Sequence, residues 1–128
     1  PANLKYKNDI QKLFNNSPFI EIVNDRFDHV MTYSQIMISS MSSCCLEALA
    51  SAVPCIIIGD ENTINFNPIP CQVNSLVWQV CYTNSEIESA INDFSKLSIT
   101  TLLKISKTIR NSFFTEVTKD TVENFFSM

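Results

Sequence analysis

Glycine is almost absent: Gly59 is the sole example in 128 residues. A Walker loop, a G-x-G-x-x-G dinucleotide fingerprint and a glycine-rich kinase lid each need several backbone positions without a Cβ, so all three are excluded. A phosphate held by this chain would have to meet serine hydroxyls and a helix terminus instead. Basic charge is also scarce. Nine Lys+Arg against 13 Asp+Glu give a formal net charge of −4, which supplies no electrostatic footprint for a nucleic-acid backbone. The longest apolar stretches, such as Val53-Pro54-Cys55-Ile56-Ile57-Ile58, fall far short of the roughly 20 residues that a membrane helix needs, and the opening residues have no signal-peptide apolar core. The expectation is a soluble, cytoplasmic domain that binds no nucleic acid and has no transmembrane segment, with peripheral membrane contact still open.

Metal-ligand spacing is missing too. Of the five cysteines, Cys44 and Cys45 are adjacent while Cys55, Cys71 and Cys81 fall singly, with no C-x-x-C pair, so neither a zinc site nor any other metal or cofactor is expected. An odd count with members inside apolar runs reads as reduced, mostly buried thiols. Cys44 is the candidate for reactivity, should a helix N-terminus lie beside it. The only histidine, His29, has no serine or cysteine partner inferable from the chain and reads as structural or exposed.

What is present is a globular composition, 45% hydrophobic and 17% charged, sized for one domain over residues 1–128. Tyr6, Ile10, Leu13 and Phe14 recur at helical spacing in Asn3–Phe14. Phe19-Ile20-Glu21-Ile22-Val23 is β-branched and bounded by turn residues, which predicts a strand, and Asn24-Asp25 then caps a short helix through Tyr33. Ile36–Ile38 predicts a second strand, Ser39–Ser43 a serine turn, Cys44–Ala50 a helix and Cys55–Ile58 a fully apolar strand. Asp60–Ser75 is rich in Asn and Pro and reads as a long loop. Leu76–Tyr82 predicts a last strand. A helix follows in which Ser85 and Glu88 stand in the capping-box relation and Ile87, Ala90, Ile91 and Phe94 form the apolar face. Two C-terminal helices, about Ile99–Phe114 and Lys119–Phe126, finish the chain, within residues 99–127. Strands alternating with helices predict an α/β fold, a Rossmann-like parallel sheet flanked by helices.

In an open sheet of this kind ligands bind outside the carboxyl ends of the strands, where Ser39–Ser43 and Gly59–Asn62 both fall. Ser39, Ser40, Ser42 and Ser43 can donate to a diphosphate at the start of the following helix, and Glu47, one turn in, can accept from sugar or ribose hydroxyls. Gly59 and Asp60 complete the candidate set. A purely local account stands beside this one: Ser42 and Ser43 cap the helix for about 1 kcal/mol, and Glu47 complements its dipole. Asp60 and Glu61 are adjacent carboxylates in a loop and read as solvating it. Lys104, Lys107 and Arg110 share one side of a helix and read as a solvated face that could also approach phosphate or anionic lipid. Phe113, Phe114, Phe125 and Phe126 read as docking the terminal helices on the sheet or on a companion domain.

The run from Ile36 through the serine turn, Glu47-Ala48-Leu49 and Pro54 to Ile58 resembles the second half of GT-B glycosyltransferases and the related UDP-N-acetylglucosamine 2-epimerases. Glu47, Ala48 and Pro54 match their pattern of apolar strand, serine-rich turn, Glu-Ala helix, glycine, proline and apolar strand. Pro1 could be the proline of the family's "His-Pro" strand end, and Leu76–Phe94 is similar to its last strand and helix. The resemblance implies a domain holding a nucleotide diphosphate sugar, with diphosphate at the serine turn and Glu47 near the ribose. Those families usually carry Gly where Ala52 stands, a helix-ending position at which a left-handed Ala costs roughly 1–2 kcal/mol. Ser39 occupies the place of the first member of a glutamate pair, which argues against the paired-glutamate retaining subgroup.

The chain opens on a helix with no strand before it, so a doubly wound sheet would lack its first two strands, and the third would stand away from the fourth. Either the chain is a fragment of a longer protein, or the sheet has another strand order, or a partner chain supplies the missing edge. With the resemblance, the expectation is an incomplete half of a two-domain GT-B fold, completed by a missing N-terminal domain or partner chain, or a homo-oligomer joined through an open sheet edge. The function expected is donor binding in a surface-polysaccharide glycosyltransferase, inactive as this chain alone, with no catalytic base assigned. The alternatives are an epimerase-like domain and a non-catalytic interaction module.

Overall fold

A computed structural model of the chain describes residues 17–127 together with Asp9 and Lys12. The helix expected over Asn3–Phe14 therefore lies outside the described residues, apart from those two helical positions. The fold is mixed α/β. Helix α1 (Phe27–Met31) leads to β1 (Met37–Ser39), α2 (Cys44–Ala50) and β2 (Cys55–Ile58); a 3-10 turn at Ser75–Val77 precedes β3 (Trp78–Cys81), and α3 (Asn84–Ser95), α4 (Ile99–Phe113) and α5 (Lys119–Phe126) follow. The strands form one open parallel sheet in the order β1-β2-β3.

The central strand explains the apolar run. Cys55 and Ile57 join a core with Cys45, Ala48 and Leu49 of α2 and Ile109 of α4, whereas Ile56 faces Cys81, Ala90 and Phe94 on the α3 side. Successive strand residues point to opposite faces, so a strand covered on both sides must be apolar throughout. The second face is only partly covered. Ile38 and Ile58 lie on it in register with the Ile56 row, yet both are about half exposed.

Helix α2 ends in a Schellman arrangement: Val53 N–H donates to the Ala48 carbonyl at 3.0 Å and Ala52 N–H to the Leu49 carbonyl at 3.1 Å. That closure requires a left-handed residue, and Ala52 supplies it at φ 63. Pro54 is fully buried behind it and cannot extend the helix. Met37 N–H then bonds to the Pro54 carbonyl, which sets the β1-β2 register.

Several expectations need correction. Phe19–Val23 is not a strand: it is irregular and exposed, Phe19 by 93%, and no sheet hydrogen bond reaches it among the described residues. A β-prone sequence makes a strand only where a neighbouring edge takes up its N–H and C=O groups. Helix α1 is shorter than expected and its N-cap is Arg26, because the Asp25 carboxylate bonds to Arg26 N–H and His29 without capping the helix. The last strand starts at Trp78, since Asn74 Oδ1 accepts from Leu76 N–H at 3.0 Å and coils Ser75–Val77 into the 3-10 turn. Helix α3 begins two residues earlier than Ser85 would set it. T-x-x-E occurs at Thr83–Glu86 as well, and the upstream box wins because Glu86 Oε2 accepts from both Tyr82 and Thr83 N–H groups.

Candidate functional site

Strands β1 and β2 are parallel neighbours, with Ser39 opposite Ile57, so the serine turn and Gly59–Asp60 leave the sheet at one carboxyl edge. The sequence candidates are thus brought together along that edge. Ser39 closes β1; Ser40 and Ser43 are exposed; Ser42 is half-buried. Glu47 lies one turn into α2 with an exposed side chain.

The start of α2 is less open than a free helix terminus. Ser42 Oγ accepts from Cys44 N–H at 3.3 Å, the Ser42 carbonyl accepts from Cys45 N–H, and the Ser43 carbonyl accepts from Leu46 N–H. Ser43 is the N-cap by position but its side chain makes no capping bond, because it already has helical angles, φ −60 and ψ −24. Among the described residues its hydroxyl has no hydrogen-bond partner. The first-turn amides, in contrast, are taken up by the chain itself.

Asp60 is engaged in its own loop. Its Oδ1 accepts from Asn62 N–H at 2.9 Å, and Asn65 clamps the Asp60 backbone from both sides, accepting from N–H at 2.9 Å and donating to C=O at 2.7 Å. This Asx-type turn starts the long connection to β3, which is pinned in the core by Ile69 and Val73. Between those anchors and the turn, Phe66 N–H contacts Met41 Sδ, so the connection reaches back over the serine turn.

Three features escaped the sequence reading. Tyr82 follows β3 on the same edge, and its ring occupies the space that a Cβ on Gly59 would need. Gly59 has no positive φ; close approach of the ring is what requires glycine there. Met41 and Phe66 meet across 25 residues, which no local pattern encodes. The third feature is a groove of about 370 Å³ lined by Val73, Leu76, Lys104, Thr108, Ile109 and Phe113, among others. Since Asn74 and Leu76 lead into the amino end of β3, this groove lies at the opposite edge of the sheet from the serine turn.

The remaining candidates are unremarkable chemically. His29 is exposed, contacts Asp25 and sits edge-on to Tyr33. The Cys55 thiol, hydrogen-bonded toward Cys45 and buried, is pushed above the ordinary thiol range. All five cysteines are free, and Cys44 is half-buried. No group of three or more His, Cys, Asp or Glu among the described residues is arranged to hold a metal ion, and no helix among them is long and apolar enough to cross a membrane. No protein-family model matches the chain, and no curated protein or solved structure matches it.

Proposed function

We propose that the chain is the donor-binding portion of a GT-B-type glycosyltransferase acting in surface-polysaccharide synthesis, holding a nucleotide diphosphate sugar at the carboxyl edge of its sheet. The observation that carries this reading is the unit running from β1 through the serine turn and α2 to β2. Its helix ends on a left-handed residue at position 52, where the resembled families place glycine, and it delivers Ser39–Ser43 and Gly59–Asp60 to one edge. In this reading the exposed hydroxyls of Ser40 and Ser43 meet the diphosphate, and Glu47 accepts from ribose or sugar hydroxyls. Free cysteines support a reducing, cytoplasmic setting. The uncovered sheet face around Ile38 and Ile58 supports a companion domain or a second copy. Titration calorimetry with nucleoside diphosphates and nucleotide sugars tests it: millimolar-or-better binding that weakens in Ser40→Ala/Ser43→Ala and Glu47→Ala is expected. No binding by a folded chain overturns it.

A second reading, a non-catalytic interaction module, is favoured by α5, in which no residue is buried and Phe125 and Phe126 are 75% and 81% exposed. In that case the serine-turn substitutions change stability without any ligand to lose.

A further inference from the structure

Resting on the nucleotide reading, we infer that Tyr82 is the stacking platform for the nucleobase at the carboxyl edge. Tyr82 is the first residue after β3, and the sheet ladder runs right up to it: Gly59 N–H donates to the Cys81 carbonyl at 2.9 Å. Its own N–H donates to Glu86 Oε2 at 2.6 Å, so the backbone carrying the ring is fixed by the start of α3. The ring lies against Gly59, the only glycine in the chain, at a position where glycine is not demanded by φ. Any side chain at 59 would displace the ring from the strand end.

An aromatic ring laid over a cross-strand glycine covers backbone with one face. Tyr82 is 44% exposed, which leaves ring surface accessible at the strand end, and its hydroxyl has no hydrogen-bond partner among the described residues. It stands two strands from β1, about 10 Å across the sheet edge at the usual strand spacing, with Gly59–Asp60 between it and the serine turn. A nucleoside diphosphate suits this layout: an aromatic base at Tyr82, hydroxyl-rich sugar in the middle and phosphates at the serines. Stacking of this kind accepts any base, because every base presents a π-face.

The experiment titrates uridine diphosphate, adenosine diphosphate and inorganic pyrophosphate into the wild-type chain and into Tyr82→Phe, Tyr82→Leu and Tyr82→Ala. Leu keeps an apolar cover over Gly59 without a π-face, so it separates stacking from packing should the Ala variant fail to fold. Phe is expected to retain affinity for both nucleotides. Leu and Ala should lose roughly 5- to 150-fold for both, with pyrophosphate binding unchanged. Unaltered nucleotide affinity in a folded Leu variant overturns the stacking role and leaves the nucleotide reading intact, as does equal weakening of pyrophosphate. A wild-type chain that binds no nucleotide overturns both.

Discussion

Position 52 carries a strain that a single atom creates. The Schellman bonds hold it at φ 63, where a Cβ crowds the following carbonyl oxygen and glycine does not. Ala52→Gly should therefore stabilise the chain, by about 0.5–1 kcal/mol once the greater freedom of glycine in the unfolded state is set against the relieved strain. Chemical denaturation should show a higher midpoint at unchanged slope. Gly59 is the opposite case: its backbone is ordinary, and the Tyr82 ring excludes a side chain. Gly59→Val should cost about 1–3 kcal/mol by overpacking, and the double variant Gly59→Val/Tyr82→Ala should recover part of that loss. A thermal melt series of the four proteins reads the coupling directly. Composition could say that one glycine is too few for a phosphate loop, but not that this glycine serves a ring 23 positions away.

Among the elements, α3 shows how two equal local signals are resolved. Thr83–Glu86 and Ser85–Glu88 are both capping boxes on paper, and the first forms because Glu86 gathers the Tyr82 and Thr83 N–H groups at the end of β3. Those bonds hold the Glu86 carboxyl below its ordinary value of 4.5. A depressed folded-state pKa means that the contribution to stability is complete above the unfolded value and disappears as pH falls through the folded one. Wild type should thus exceed Glu86→Gln in stability near neutral pH, and the two should converge as pH falls through the lowered folded-state value. Urea denaturation across that range measures it. Removing the cap by Thr83→Ala should cost about 1 kcal/mol, whereas Ser85→Ala should change little. Helices α2 and α4 and strand β2 were legible because local pattern and long-range packing agree there, whereas α5, which buries no residue, forms on local pattern alone. Phe19–Val23 lacks that agreement, since its β-branched pattern finds no sheet edge among the described residues.

For the whole molecule, burial is uneven. The layer of α2 and α4 on one face and α3 on the other encloses β2, and Ile56 is fully buried between sheet and α3. Ile56→Ala should cost about 2–5 kcal/mol, with the spread set by how far the cavity collapses. In α5, by contrast, Phe125→Ser/Phe126→Ser should shift stability by no more than about 0.5 kcal/mol per site, since both rings are exposed. If α5 is an interaction surface, the same pair should reduce association as measured by sedimentation. The basic residues Lys104, Lys107 and Arg110 are exposed along α4, and Lys104 lines the groove at the amino edge, away from the serine turn.

By itself the sequence determined the mixed α/β class of the fold and that the serine turn and Gly59–Asp60 follow two of its strands. The alternation of short apolar runs with capped helices needs nothing beyond the period of a strand, the period of a helix and the cost of burying backbone amides. It excluded as well a glycine cradle for phosphate, leaving hydroxyls such as those of the serine turn among the candidates. Tertiary structure alone decided which of those hydroxyls stay available, since the amides beside them are consumed by Ser42 and Ser43. It also placed Tyr82 on Gly59 and Phe66 on Met41. Contacts between residues distant in the chain arise when strands pair and connections fold back, and no local propensity carries that information.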